Sequence, residues 1–287
     1  MTILDGKSLS QEIQENLKQE ITALTAAKAR APRLVVILVG NDAPSRAYVN
    51  MKAKACEKIG MQGEVLEFDE GVEQAEILQE IERLNKDSSV DGVLVQLPLP
   101  RHFDTALILE SIAPSKDVDG FHPLNVGRIE CNTNQNLAFS PATPLGVMTL
   151  LKHYDIEVSG KNVAIVGASN IVGKPLAALM LNAGATISIC HILTRDVALY
   201  TREADIVCVG VGKPNLITAD MVKEGAIIVD IGINRLDDGR LVGDVEFEPV
   251  SKKASFITPV PGGVGPMTIA TLLQNTLKAY RLRESGK

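Results

Sequence analysis

NVAIVGASNIVGKPLAALMLNAG, residues 162–184, decides how the rest of the chain is read. A β-branched apolar run, 162–167, stops at Gly167, and helical periodicity resumes over 173–183. Strand, glycine turn, helix is the arrangement that presents backbone N–H groups and a helix N-terminus to an anion. Gly167 suits the tight turn, Ser169 can donate a hydroxyl hydrogen bond, and Gly173 permits close packing. Neither familiar fingerprint fits. G-x-G-x-x-G wants glycine at 169, where the chain has Ser169. G-x-x-x-x-G-K-[ST] wants glycine at 168 and a hydroxyl at 175, where it has Ala168 and Pro175. Without that hydroxyl no side chain holds magnesium, and the triphosphate reading falls. Two readings stay open: a dinucleotide turn with variant glycine spacing, or a turn between strand and helix that binds nothing.

The following strand, TISIC (186–190), bears on the first of these. A carboxylate about 20 residues after the glycine turn would clamp the ribose 2′-OH of NAD. Cys190, His191, Ile192, Leu193, Thr194 and Arg195 supply none. An acidic residue would repel a 2′-phosphate, so its absence favours NADP, with NAD the alternative. His191 and Arg195 either help hold that phosphate or face water.

Outward from this turn, short apolar runs alternate with helical patterns. Strands are expected at 33–40, 63–68, 92–99, 162–167, 186–190, 205–212, 226–233 and 255–260. Helices are expected at 8–29, 44–59, 73–86, 104–112, 144–153, 173–183, 219–223 and 266–283. Runs so uniformly apolar suit strands buried on both faces of a parallel sheet. The class is α/β, with two α/β domains flanking a cleft and the second Rossmann-like. Residues 113–143, rich in Pro, Gly, Asn and Asp, read as a loop-rich connector. The domains are therefore placed at 1–142 and 143–265, with a C-terminal helix, 266–287, expected to pack back on the first.

Composition narrows the function. Of the 287 residues, 45% are hydrophobic and 22% charged, and the formal net charge is −6. That fits a globular protein and disfavours a nucleic-acid partner, which would want a basic surface. Four cysteines and four histidines show no C-x-x-C or H-x-x-x-H pair, so no metal site or disulfide framework is expected. The N-terminus is polar within five residues, and no apolar run approaches the ~20 residues of a membrane span, so a cytoplasmic protein is expected.

The first domain carries four polar residues in suggestive places. In AYVNMKAKA (47–55), Tyr48 and Lys52 are one helical turn apart on a common face. An aromatic ring beside an amine suits stacking on a flat substrate while the amine moves protons. The alternative is a solvated lysine, the usual state. In VLVQLPLP (93–100), Gln96 interrupts an apolar strand and needs a buried partner or a ligand. In KDVDGFHP (116–123), Asp119 either caps the turn or accepts from the N–H groups of a heterocycle. The run TPVPGGVGPMT (258–268) either lets backbone approach a ligand or makes a tight connection.

Taken together, YVNMK, GVLVQLPLP, KDVDGFHP, GASNIVGKP and TPVPGGVGPMT resemble the motifs of the bifunctional methylenetetrahydrofolate dehydrogenase/methenyltetrahydrofolate cyclohydrolase family. The resemblance runs over nearly the whole chain, in the same order. It implies a homodimeric cytosolic enzyme of one-carbon metabolism acting on tetrahydrofolate derivatives with NADP. By motif it implies Lys52 as the catalytic lysine, Gln96 as its hydrogen-bond partner, Tyr48 packed on the folate and Asp119 gripping the pterin. It implies Pro261, Gly262 and Gly263 in the folate site. Gly167, Ala168, Ser169, Gly173, His191, Ile192 and Ile233, the last in DIGIN (230–234), are then the cofactor's residues. Three positions depart from the pattern. Some members carry Arg at Ala168 and a hydroxyl residue at Ile192, both gripping the 2′-phosphate, and a cysteine at Ala142. Rival readings are a shikimate-type dehydrogenase, in which Lys52 and Asp119 would grip a small polyol acid, and a non-catalytic dinucleotide sensor.

Overall fold

The computed structural model describes residues 1–286; Lys287, the last residue of the expected C-terminal helix, lies outside them. In chain order the elements begin β1 (Thr2–Ile3), α1 (Gly6–Ala26), β2 (Arg33–Val39), α2 (Ala43–Ile59), β3 (Gln62–Phe68), α3 (Gln74–Lys86) and β4 (Gly92–Val95). Next come α4 (Thr105–Ser111), α5 (Pro123–Glu130), α6 (Ala142–His153), β5 (Asn162–Val166), α7 (Gly173–Asn182) and β6 (Thr186–Cys190). The chain closes with α8 (Ala198–Thr201), β7 (Ile206–Val209), β8 (Ile227–Asp230), β9 (Asn234–Arg235), β10 (Leu241–Val242), α9 (Phe247–Ser251), β11 (Phe256–Ile257) and α10 (Val264–Ser285). Two compact units result: Gln11–Ala142 with the chain from Ile269 onward, and Thr143–Thr268 with Met1–Ser10.

The first unit is built on a three-stranded parallel sheet in the order β3-β2-β4. Its middle strand, RLVVILV, is buried on both faces because helices cover both. Leu34, Val36 and Leu38 pack with Val49, Cys56 and Ile59 of α2 and with Leu273 and Leu277 of α10. Val35, Ile37 and Val39 face the other way, onto Ile77, Ile81 and Leu84 of α3. The expected strand 92–99 stops at Val95. Gln96 N–H still donates to Ile37 O (2.9 Å), but Pro98 and Pro100 have no N–H to continue a ladder. Within the expected connector 113–143 lies a helix, α5. Pro123 opens it and His122 Nδ1 accepts from Leu124 N–H at 3.0 Å. Its eight residues include Asn125 and Gly127, which hide the period.

The second unit holds a six-stranded sheet in the order β1-β11-β8-β7-β5-β6, all parallel. The chain leaves β5 to β6 on one side and later returns to β7 on the other. The strand order therefore reverses at the carboxyl end of β5, where ligands of open α/β sheets bind. Residues 1–10, assigned to the first domain by the sequence, belong here: β1 pairs with β11, Thr2 opposite Phe256 and Ile3 opposite Ile257. Two residues are too few to carry a period. The same brevity hid the antiparallel pair β9–β10 and the short helices α8 and α9. Residues 219–221 form a single 3₁₀ turn where a helix at 219–223 was expected. No described helix is long and apolar enough to cross a membrane. Among the described residues no cluster of His, Cys, Asp and Glu is placed to hold a metal ion.

Candidate active site

Helix α2 sets the position of Lys52. Asp42 accepts from Ser45 N–H (2.9 Å) at its start, and Gly60, at φ 78°, closes it in the left-handed conformation. Lys52 is thereby held on the buried side, only 7% exposed, where its Nζ donates to Gln96 Oε1 at 2.9 Å. Gln96 is itself oriented, since its Nε2 donates to Leu97 O at 2.7 Å. So the polar residue inside the apolar strand and the lysine on the helix are partners. Burial pushes the Lys52 amine below the ordinary lysine value, and the nearby Asp119 carboxylate partly opposes this. Burial also raises Asp119, while the Lys52 charge opposes the rise. Tyr48, one turn before Lys52, is half-buried, and burial raises its hydroxyl.

The turn 116–122 explains why Asp119 is available. Its neighbour Asp117 does the structural work, accepting from Phe121 N–H (3.1 Å), His122 N–H (2.8 Å) and Asn125 Nδ2 (2.8 Å). Lys116 caps the end of α3 through Leu84 O and Asp87 O. Gly120 is required at φ 73°, and a Cβ there would stand 2.5 Å from Phe139 O. Asp119 is left facing Lys52 with no hydrogen bond to protein among the described residues. Three acid or base residues in four positions thus have three different tasks.

In the second unit the turn after β5 is stripped to backbone. A Cβ on Gly173 would lie 1.8 Å from Gly167 O, and one on Gly167, at φ 120°, would lie 2.6 Å from Gly210 O. Ser169 is turned toward the helix: its Oγ accepts from Val172 N–H (3.1 Å) and Gly173 N–H (3.4 Å). It acts as a cap for α7, with the hydroxyl hydrogen still free to be donated. The N–H groups of Ala168, Ser169, Asn170 and Ile171 donate to no protein acceptor among the described residues. A run of unpaired N–H groups at the switch point, ahead of a helix N-terminus, fits a dinucleotide phosphate.

At the tip of β6, His191 Nδ1 accepts from Leu193 N–H at 3.1 Å, so the neutral ring carries its hydrogen on Nε2. Ile192 is 98% exposed. His191 and Arg195 line a cavity of about 480 Å³ with Ser188, Thr194 and Tyr200. Asp196 lines it too, but its Oδ1 already accepts from Ala198 N–H at 3.0 Å. Ile233 has its Cδ1 3.4 Å from where a Cβ of Gly265 would stand. The 261–263 segment is packed by protein: Lys7 N–H donates to Gly262 O (2.8 Å), and a Cβ on Gly6 would meet Gly263 O at 1.9 Å. Gly262 sits at φ 110°, and a Cβ on Gly263 would stand 2.6 Å from Pro259 O, which accounts for those glycines. Pro261, Gly262 and Gly263 belong to the second unit, whereas Tyr48, Lys52, Gln96 and Asp119 belong to the first. Two carboxylates passed over in the sequence, Asp230 at the end of β8 and Asp244 two residues past β10, are buried.

A parallel sheet with a glycine turn at its switch point, in a chain that also carries a buried lysine–glutamine–aspartate group, is the arrangement of a two-unit dinucleotide-binding enzyme. Two family descriptions match the chain. "Tetrahydrofolate dehydrogenase/cyclohydrolase, catalytic domain" covers residues 4–119, and "Tetrahydrofolate dehydrogenase/cyclohydrolase, NAD(P)-binding domain" covers 141–284. The bifunctional protein FolD of Wolinella succinogenes is 60% identical over 284 residues, 99% of this chain and 98% of that one. The crystal structure of the FolD methylenetetrahydrofolate dehydrogenase/cyclohydrolase of Campylobacter jejuni superposes with a TM-score of 0.96 at 56% identity, covering 99% of both chains. The Trypanosoma brucei dehydrogenase-cyclohydrolase, solved with NADP and an inhibitor, superposes at 0.94 with 37% identity, covering 98% of both. The chain belongs to the tetrahydrofolate dehydrogenase/cyclohydrolase family, and it is a bifunctional enzyme of folate metabolism.

Proposed function

We propose that Lys52, Gln96 and Asp119 carry the hydrolytic chemistry of this enzyme, while the turn 167–173 and the tips of β6 and β8 hold its dinucleotide. The enzyme oxidises 5,10-methylenetetrahydrofolate to the methenyl form with NADP, then hydrolyses it to 10-formyltetrahydrofolate. The observation that carries the assignment is the 2.9 Å bond from a buried lysine amine to an oriented glutamine, beside a carboxylate.

Bound NADP supplies the acceptor for the hydride that leaves the bridging methylene carbon. The chain's part in that step is binding and orientation. Gly167, Ala168, Ser169 and Gly173 would hold the diphosphate, with His191, Ile192 and Arg195 toward the 2′-phosphate and Ile233 against the cofactor. With Arg195 and no carboxylate among residues 190–195, the tip of β6 favours NADP over NAD. The product is a cationic amidinium joining N5 and N10. Water attacks its carbon; neutral Lys52 takes the proton, with Gln96 Oε1 aiming Nζ. The protonated amine then delivers that proton to N5 as the carbon–N5 bond breaks, and the carbinol hydroxyl gives up its remaining proton to solvent, leaving the formyl group on N10. Asp119 accepts from the pterin's N–H groups, and Tyr48 packs against the folate.

The enzyme works in the cytoplasm as a homodimer. Supporting the dimer, β6 is the open edge of the six-stranded sheet, and Ile189 on it is 42% exposed beside Leu193 (80%) and Leu199 (66%). The direct test is Lys52→Gln. It is expected to abolish methenyl hydrolysis while leaving NADP affinity within twofold. Full hydrolysis by that variant would remove Lys52 from the mechanism.

A further inference from the structure

Asp244, two residues past β10, is fully buried. Its Oδ2 accepts from Val211 N–H (2.6 Å) and Gly212 N–H (3.0 Å). Its Oδ1 accepts from Lys213 N–H (2.8 Å) and Asn234 Nδ2 (2.8 Å). One carboxylate therefore gathers three successive N–H groups from the loop after β7 and the side chain of Asn234, the first residue of β9. Asp230 fastens Asp244 in turn, its Oδ1 accepting from Asp244 N–H (3.0 Å) and Gly232 N–H (3.0 Å), its Oδ2 from Val245 N–H (2.9 Å). Two glycines exist to make room for these carboxylates. A Cβ on Gly232 would stand 2.3 Å from the Asp244 carboxyl, and one on Gly243 would stand 1.9 Å from Asp230 Oδ2.

The loop after β7 lies against the dinucleotide turn. Gly210 O and Val211 Cγ1 are the atoms a Cβ of Gly167 would meet, at 2.6 and 3.2 Å. Ile233 sits between Gly232, which Asp230 holds, and Asn234, which Asp244 holds. Three consecutive N–H groups make an anion nest. Here the protein fills the nest itself, so a phosphate is directed to the unpaired N–H groups of 168–171. We infer that Asp244 is a positioning residue for the cofactor, fixing the second wall of its site by tying the loop after β7 to the start of β9. The inference rests on reading 167–173 as the dinucleotide turn.

The test is Asp244→Asn in the full-length chain, which sets an amide donor against N–H donors. NADP affinity by titration calorimetry, KM for NADP, kcat at saturating NADP, and hydrolysis of supplied methenyltetrahydrofolate are measured together. The expected result is NADP binding at least tenfold weaker and KM for NADP raised in step. Hydrolysis, carried by residues of the other unit, should stay within threefold. Unchanged NADP affinity would overturn the inference, as would a parallel loss of both activities, which marks a general structural role. Should that variant not fold, Asn234→Ala removes one of the four bonds and is expected to weaken NADP about threefold; no change would count against the tie. A wild-type chain that binds no NADP would instead sink the reading of the turn itself.

Discussion

Lys52 is an amine held where its charge is disfavoured. Burial lowers its pKa, so the neutral amine is populated at lower pH than on an ordinary lysine. If the neutral amine takes the water's proton, cyclohydrolase kcat/KM rises with pH to an inflection below 10.5, the ordinary lysine value. Asp119 holds that inflection up, since its negative charge favours the ammonium. Asp119→Asn is therefore expected to move the inflection to lower pH, whatever it does to the plateau. A pH–rate profile of both proteins checks this; an upward move would contradict the electrostatic account. The sequence made part of this legible. Gln96 was visible as a polar residue in a buried strand, and Tyr48 and Lys52 as neighbours on a helix face. What separates Asp117 from Asp119 was not visible, because it depends on where Asn125 of an unforeseen helix points. Asp244 was hidden for the same reason: its partners at 211–213 lie more than thirty positions away.

At the scale of elements, the turn between β5 and α7 shows how much a missing side chain does. Gly173 must be bare for α7 to approach β5, because a Cβ would lie 1.8 Å from a backbone oxygen that cannot rotate away. Gly173→Ala is expected to cost about 1–3 kcal/mol as the helix backs off. NADP binding should weaken by more than that loss of stability alone would cause. Thermal unfolding with and without NADP separates the two effects. A variant of unchanged melting temperature and affinity would mean the helix has slack here. The long elements were legible because each repeats its period several times. Helices α2, α3 and α7 begin and end within about a residue of expectation. Pairing needs no such length: β1 is two residues long, yet it closes one edge of the sheet and moves the N-terminus into the second unit.

At the scale of the whole molecule, the open edge β6 tests the assembly. Ile189→Lys puts a charge on an exposed, unpaired strand and is expected to turn a homodimer into a monomer by sedimentation. Melting should change little, since the residue is already 42% exposed. A wild type that sediments as a monomer would refute the dimer outright. The central claim is that one chain performs an oxidation and a hydrolysis in sequence. Its most direct test is a spectrophotometric time course with 5,10-methylenetetrahydrofolate, run in parallel with NADP and with NAD. The account predicts reduction of NADP in preference to NAD, with the methenyl absorbance rising and then falling as 10-formyltetrahydrofolate forms. Methenyl product that accumulates and is never consumed, or no reduction of either dinucleotide, would contradict it.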